Sequence, residues 1–369
     1  MYDLPALIAD EEQFQSLCKA IDGSAPVTSI REAKIKLTAR CNLRCRFCRF
    51  WQMHAHDELA TAEVLNLIDD LAALNCQKIH FSGGESTLRD DLETIITHAA
   101  QRGIRTSLTS NGTLITEQRA SSLVQTGLRS LTMSLDSTSP AQHDHLRGVK
   151  GAFKRTVAAL KWIRQARKAH HAKIKVRINM VLTRHNYHEY PDLLAFVGEL
   201  GVHDVTCIPV DEKHNSENRL LPWQLAEYNE TIAPAVAAIR ARYGFSQSPH
   251  LIYPFGTNKD DLQHAANAEY ARGYFTEHVC FVPWLNTLIT WDGNVWLCCM
   301  SRGRISPLGN VRQTPFRRIF LGEPYEEVRR QFRTARYPVC HRCDDFMAEN
   351  MVLQSALNAR SDTNTVVAG

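Results

Sequence analysis

Eleven cysteines are distributed unevenly over 369 residues. Three stand together as Cys41-Asn-Leu-Arg-Cys45-Arg-Phe-Cys48, close enough for one loop to turn all three thiols to a common side. Thiolates hold iron–sulfur cubes, which normally take four cysteine ligands. Three protein thiolates leave one iron open to a small chelating molecule, the arrangement needed to inject an electron into a bound ligand. The local spacing also allows a zinc ion completed by His54 or His56, since zinc takes four Cys or His donors.

A second set lies near the C-terminus: Cys280, the adjacent pair Cys298 and Cys299, and Cys340-x2-Cys343. Four of these thiols would ligate a cluster completely, or a structural zinc ion. Cys18 and Cys76 sit in apolar helical contexts and read as core residues. Cys207, in Val205-Thr206-Cys207-Ile208-Pro209, belongs to neither set.

These residues need elements to position them. Strands are expected at Lys34–Ala39, Lys78–Ser82, Arg105–Ser110, Ser130–Asp136, Lys173–Leu182 and Asp204–Val210. Helical patterns lie between them, near residues 57–75, 90–101, 116–127, 151–169 and 186–200, with another at 222–243. Gly103, Gly127 and Gly201 punctuate the passages from helix to strand. Strict β-α alternation means a parallel sheet with right-handed crossovers. Six units fall two short of a complete barrel, and a doubly wound open sheet remains an alternative. In either architecture ligands bind at the carboxyl ends of the strands, where the Cys loop falls.

The alternation stops near residue 245. Residues 246–279 read as a loop-rich linker, and a hairpin is expected around Trp291-Asp292-Gly293-Asn294. A short helix near 323–335 precedes the last cysteine pair, and the final dozen polar, small residues read as a frayed tail.

Forty-three Lys and Arg against thirty-nine Asp and Glu give a net charge of +4, too small a bias for nucleic acid as the main partner. No apolar run approaches the roughly 18 residues of a membrane span. The opening MYDLPALIADEE lacks a basic segment followed by an apolar one, so no secretory signal is visible and the cytoplasm is expected. Where thiols stay reduced, clustered cysteines point to metal or catalysis before disulfides.

The C-x3-C-x2-C loop, with aromatic Phe47 before its last cysteine, resembles that of radical S-adenosylmethionine (SAM) enzymes. The resemblance implies a partial (β/α)6 TIM-like barrel of the α/β class. It also implies a SAM-binding 4Fe–4S cluster on Cys41, Cys45 and Cys48, and reductive cleavage of SAM to a 5′-deoxyadenosyl radical that abstracts hydrogen from substrate. Gly83-Gly84-Glu85 after the second strand matches the family's segment that meets the methionine amino group. Glycines allow close backbone approach to a ligand, and a carboxylate suits an ammonium. Asn111 at the end of the third strand, and Ser134, Asp136 and Arg147 at and after the end of the fourth, lie in segments that also resemble the family's. Ser134 and Asp136 alternate onto one side of their strand, where they could meet SAM, and Asn179 on the fifth strand is a further polar residue aimed at the same mouth. Ordinary strand-end capping is the alternative for each. The C-terminal cysteines resemble a SPASM domain or its shortened twitch form. Cys280, Cys298 (selected over Cys299 by its distance from Gly293), Cys340 and Cys343 then hold one auxiliary 4Fe–4S cluster, because no cysteine follows Cys343.

The domains implied are an N-terminal extension (1–33), the barrel (34–245), a linker or substrate loop (246–279), the auxiliary domain (280–345) and a tail (346–369). Only about 33 residues precede the first strand, too few for a leader-binding domain. The expected substrate is therefore a small hydroxylated molecule of sugar or aminocyclitol type, oxidised or epimerised, with a peptide maturase as the alternative. A non-catalytic iron–sulfur carrier is the reading from another class, and Gly83-Gly84-Glu85 argues against it. The segments Asp211–Arg219 and 246–279 are expected to shape the substrate pocket. Arg40, Arg44, Arg46 and Arg49, with no acid among them, suit either a solvated loop or docking of an acidic electron donor such as flavodoxin or ferredoxin. Cys207, at the end of the sixth strand, is either a small buried residue or the hydrogen-atom donor an epimerase would need.

Overall fold

The structure, a computed structural model, describes residues 4–210, 217–343 and 346–367, with side chains as far as residue 360. Six parallel strands form where the alternation predicts them: Glu32–Thr38 (β1), Lys78–Gly83 (β2), Arg105–Ser110 (β3), Ser130–Ser134 (β4), Lys175–Leu182 (β5) and Asp204–Pro209 (β6). Three more follow: Asn286–Ile289 (β7), Asn294–Trp296 (β8) and Gly309–Asn310 (β9). All nine make one sheet in the order β6-β5-β4-β3-β2-β1-β7-β8-β9. The expected hairpin is therefore not confined to a separate auxiliary domain. β7 pairs in parallel with β1, from Glu32 opposite Asn286 to Ile35 opposite Ile289, and satisfies a strand edge that would otherwise lie open.

The two faces of the parallel strands differ in chemistry. Ile35, Leu37, Ile79, Phe81, Leu108, Leu131, Met133, Ile178, Met180 and Val205 are buried on one face, in the same core as helix residues such as Leu67, Ile68, Ile95, Leu123, Ile163 and Leu194. The opposite face carries Lys34, Lys36, His80, Thr109, Thr132, Ser134, Arg177, Asn179 and Thr206, all half-buried. Parallel strands covered on both faces read as nearly continuous apolar runs. This alternation marks a partial barrel whose inner wall is polar.

The flanking segments are more ordered than expected. Residues 4–22 form helices Leu4–Ala9 and Glu11–Asp22, the second capped by Asp10, which accepts the Gln13 N–H at 3.0 Å. The Trp284 indole donates to the Ala20 carbonyl at 2.9 Å, so the N-terminal extension is tied to the C-terminal third. The linker holds helices Pro249–Ile252, Lys259–Ala266 and Tyr274–Glu277, and Tyr270 donates to the Val210 carbonyl just beyond β6. In place of a frayed tail, Met347–Val367 is helical, anchored by buried Met347, Asn350 and Leu353. A helix the sequence reading missed, Pro140–Arg147, follows β4 with Ser139 as its cap. Among the described residues no helix is long and apolar enough to cross a membrane.

Candidate functional site

The first cysteine loop leaves β1 and is pinned from three sides. On one side are Gly83 and Gly84. The Gly84 N–H donates to the Thr38 carbonyl and the Glu85 N–H to the Arg40 carbonyl, both at 2.8 Å. A Cβ on Gly83 would collide with the Thr38 oxygen, and one on Gly84 with the Arg40 oxygen. The close approach that requires glycine here is thus to the backbone leading into the Cys loop.

Glu85 is buried, and its carboxylate accepts from the Thr87 N–H (3.0 Å), the Thr87 hydroxyl (2.6 Å), the Ser110 hydroxyl (2.8 Å) and the Asn111 N–H (2.6 Å). It fastens the ends of β2 and β3 together. Asn111 supplies the second side: its amide donates to Asn42 within the Cys loop at 2.8 Å, and Asn42 donates to Thr113 at 2.8 Å.

The third side is the helix Pro140–Arg147. Its last carbonyls, which no helical N–H reaches, accept from the loop: Leu146 from Arg46 and Arg147 from Arg44, both at 3.0 Å. Gly148, in the left-handed region at φ 69°, lets the chain pass against the Arg44 carbonyl. Two residues the sequence reading assigns to SAM meet each other here. Arg147 Nε lies 2.6 Å from Asp136 Oδ2 in a buried ion contact. The same guanidinium donates to Cys45 Sγ at 3.7 Å and lies 5.3 Å from the centre of the Phe47 ring. His143 accepts the Asp136 N–H at 3.2 Å, and burial pushes its imidazole down to about 4, so it is neutral at pH 7.

Cys45 is buried and Cys41 and Cys48 are half-buried. Burial raises the Cys45 thiol and pushes Cys41 up to about 11, so a bound cation is what would keep them as thiolates. His54 and His56 are exposed and stack on each other, ring centres 5.6 Å apart. Among the described residues no three His, Cys, Asp or Glu side chains converge as one metal ion requires. Thiolates that each take a different iron of a cube have no such need. No cysteine is in a disulfide.

The second group is assembled from separate places: Cys280 at the end of the linker, Cys298 just after β8, and Cys340 and Cys343 on the turn Pro338–Arg342 and its cap. Burial raises the Cys280 and Cys298 thiols and pushes Cys340 up to about 11, and each of Cys280 and Cys340 also feels the charge of Cys298. Cys298 therefore lies with Cys280 and Cys340. Cys299 lies electrostatically beside Arg302, together with Cys48. Arg302 bridges the groups, its guanidinium 4.9 Å from the Phe50 ring centre and 5.8 Å from that of Trp291.

Ser134 and Asn179 are cross-strand partners on the polar inner wall, and among the described residues neither side chain has a hydrogen-bond partner. Cys207 does not share that wall. It alternates onto the helix-covered face, is 5% exposed and donates to the Leu251 carbonyl at 3.3 Å, with Tyr190 and Tyr228 close by. Of the two readings of Cys207, this placement fits the small buried residue and not a hydrogen-atom donor at the mouth. Residues 211–216 of the expected pocket segment lie outside the described residues. All four loop arginines are exposed; Arg40 pairs with Glu58 at 3.2 Å and Arg44 donates to the Cys41 and Leu43 carbonyls, which leaves the Arg46 and Arg49 side chains without an ion pair among the described residues.

Lys34, Lys36, His80 and Arg177 on the inner wall escaped the sequence reading. The signal was present: alternating polar residues in strands of a parallel sheet, where both faces are normally apolar.

Comparison with known proteins gives the frame for this geometry. Residues 35–197 match the Radical SAM superfamily, and residues 280–344 match SPASM, an iron–sulfur cluster-binding domain. The chain is 30% identical over 205 residues to an AdoMet-dependent heme synthase of Nitratidesulfovibrio vulgaris, a stretch covering 53% of each protein. It is 30% identical over 162 residues to a PqqA peptide cyclase of Bradyrhizobium diazoefficiens, covering 43% of this chain and 41% of that one. The match thus spans about half the length of these relatives or less. In structure it resembles Streptococcus suis SuiB bound to S-adenosylmethionine, with a TM-score of 0.65 at 17% identity over 86% of this chain and 72% of that one.

Proposed function

We propose that this chain, a member of the radical SAM superfamily that ends in an iron–sulfur-binding SPASM domain, is a maturase of a ribosomally made peptide. Cys41, Cys45 and Cys48 hold the SAM-binding cluster, and Cys280, Cys298, Cys340 and Cys343 hold one auxiliary cluster. When bound, the first cluster and SAM supply a 5′-deoxyadenosyl radical for hydrogen abstraction, and the auxiliary cluster supplies one-electron redox chemistry. The chain's own task is to position. Glu85 and Asn111 hold the Cys loop in register with the strand ends. Ser134 and Asn179 offer unengaged polar groups toward the mouth, suited to SAM.

The observation that carries the peptide reading over a sugar is the 30% identity over 162 residues to a peptide cyclase. It is supported by β6, the last strand of the sheet, whose Ile208 is exposed. An extended chain can enter along such an edge. The small hydroxylated substrate expected above has no counterpart in either relative. A tetrapyrrole, as the heme synthase relative suggests, is the second reading; Lys34, Lys36 and Arg177 on the inner wall favour it, since cations suit carboxylates. The packing of Cys207 beneath Leu251 supports oxidation over epimerisation. Arg46 and Arg49 are the arginines left to meet an acidic electron donor, and eleven free thiols suit a reducing cytoplasm.

The test is anaerobic reconstitution and reduction with SAM, offering perdeuterated short peptides or deuterated iron coproporphyrin. Deuterium in 5′-deoxyadenosine from peptides supports maturation, and deuterium only from the porphyrin supports the second reading. Release of 5′-deoxyadenosine no higher than in Glu85→Ala would favour an iron–sulfur carrier.

A further inference from the structure

Buried cations next to thiols are costly to place, and one stands against the first cysteine group. Arg147 is 7% exposed and Asp136 fully buried. The guanidinium has its Nε 2.6 Å from Asp136 and one terminal N–H directed at Cys45 Sγ at 3.7 Å, while its central carbon lies over the Phe47 ring. The Asp136 carboxylate is held in turn, because its other oxygen accepts the Val181 N–H at 3.0 Å from β5. The Asn186 amide donates to the Asp136 carbonyl at 2.8 Å and fixes the backbone there. The order of the chain is thus β5, Asp136, Arg147, Cys45: a strand of the barrel aims a cation at one thiol of three.

We infer that Arg147, positioned by Asp136, is a fixed cation and hydrogen-bond donor on the Cys45 thiolate that raises the reduction potential of the cluster held there. The inference rests on the proposed assignment of Cys41, Cys45 and Cys48 as ligands of that cluster. Net charge and hydrogen bonds to sulfur set cluster potentials, and a donor that points at a ligand from behind also orients it. An added electron makes the cluster more negative, so a cation at hydrogen-bond distance favours the reduced form. From the sequence alone, Arg147 and Asp136 are expected to meet SAM. Their mutual engagement and the contact with sulfur assign them to the metal side of the site instead. Electrostatics at Cys45 agree: Arg147 is the largest charge influence on that thiol, ahead of the opposing Asp136.

The two residues carry opposite charges, which makes the test directional. Mediated potentiometric titration with dithionite, followed by electron paramagnetic resonance of the reduced first cluster, is run on reconstituted protein without SAM. Cys340→Ala/Cys343→Ala is the background, so that only the first cluster reports. Arg147→Gln should shift the one-electron reduction equilibrium at least tenfold toward the oxidised form, about 59 mV. Arg147→Lys should recover most of that shift, and Asp136→Asn should move it the other way. Equal potentials in all variants, or Arg147→Gln and Asp136→Asn moving together, would overturn the inference. So would a change seen only after SAM is added, which would return Arg147 to cofactor binding. If Arg147→Gln loses its iron, the sign of the shift in Asp136→Asn still decides. Failure of the underlying assignment is separately visible: Cys45→Ala would then retain the first cluster's iron and signal.

Discussion

The two cysteine groups are built on opposite plans. The first is one loop of eight residues, Cys41 to Cys48, locked to the end of β2 and to the helix Pro140–Arg147 by backbone hydrogen bonds and to the end of β3 by a side-chain one. The second collects Cys280, Cys298, Cys340 and Cys343 from a linker, a hairpin and a short turn, spread over 64 residues. In the first, local chain geometry already brings the thiols together and the surroundings add orientation. In the second, nothing local brings Cys280 to Cys340. That proximity depends on β7 pairing with β1 and on the helix Glu323–Phe332 folding back, with Arg329 donating to the Pro283 carbonyl at 3.1 Å. A local group survives injury to the distant fold better than a dispersed one does.

Removing the groups one at a time gives the largest contrast. Reconstituted protein should hold about eight irons per chain, as two four-iron cubes. Cys41→Ala/Cys45→Ala/Cys48→Ala should lose about half of them and reduce SAM cleavage to background, measured by iron analysis and chromatography of 5′-deoxyadenosine. Cys340→Ala/Cys343→Ala should also lose about half, yet retain SAM cleavage while losing substrate product. Stoichiometric zinc in place of the second half of the iron would break the comparison.

Within the dispersed group, neighbouring residues should behave unequally. Cys298→Ala should lose the auxiliary iron, because Cys298 lies with Cys280 and Cys340, and Cys299→Ala should keep it. Equal losses from both variants would show that the group is placed differently.

At the first group, Gly84→Ala should impair assembly without touching any proposed ligand, since its Cβ has no room beside the Arg40 carbonyl. Overpacking of this kind costs about 1–3 kcal/mol. Loss of the first cluster's signal, with the second cluster's intact, is the expected spectroscopic result.

The smallest effect concerns Glu349, near Lys34 on the helix that follows the second group. Burial, with repulsion from Glu32, pushes its carboxyl up to about 7 from an ordinary 4.5. The folded protein therefore keeps a proton that the unfolded chain releases. Its contribution to stability is present below about pH 4.5, falls as pH rises toward 7, and is gone above it. Glu349→Gln removes that decline, so wild type should lose on the order of 2 kcal/mol relative to the variant between pH 4.5 and 8. Urea midpoints at the two pH values measure it, and parallel curves would contradict the assignment.

Much of this protein is local and therefore legible in its residues. The C-x3-C-x2-C spacing, the six β-α units and the strand-end motifs each lie within a short stretch, where chain geometry leaves few alternatives. The polar inner wall was legible too, in the alternation of Lys34, Lys36, His80, Arg177 and Asn179, because strand side chains alternate whatever the strand packs against. Sequence spacing alone could not say which neighbour a buried charge takes. Asp136, Arg147 and Cys45 lie up to 102 residues apart, and their meeting depends on a helix whose end docks on a loop. Nor could it tell which face of β6 looks inward, so Cys207 stayed open between mouth and core until the helices covering that face were in place. Period-two alternation determines which residues share a face. Only the packing of helices against one side of the strands decides which face is the inside.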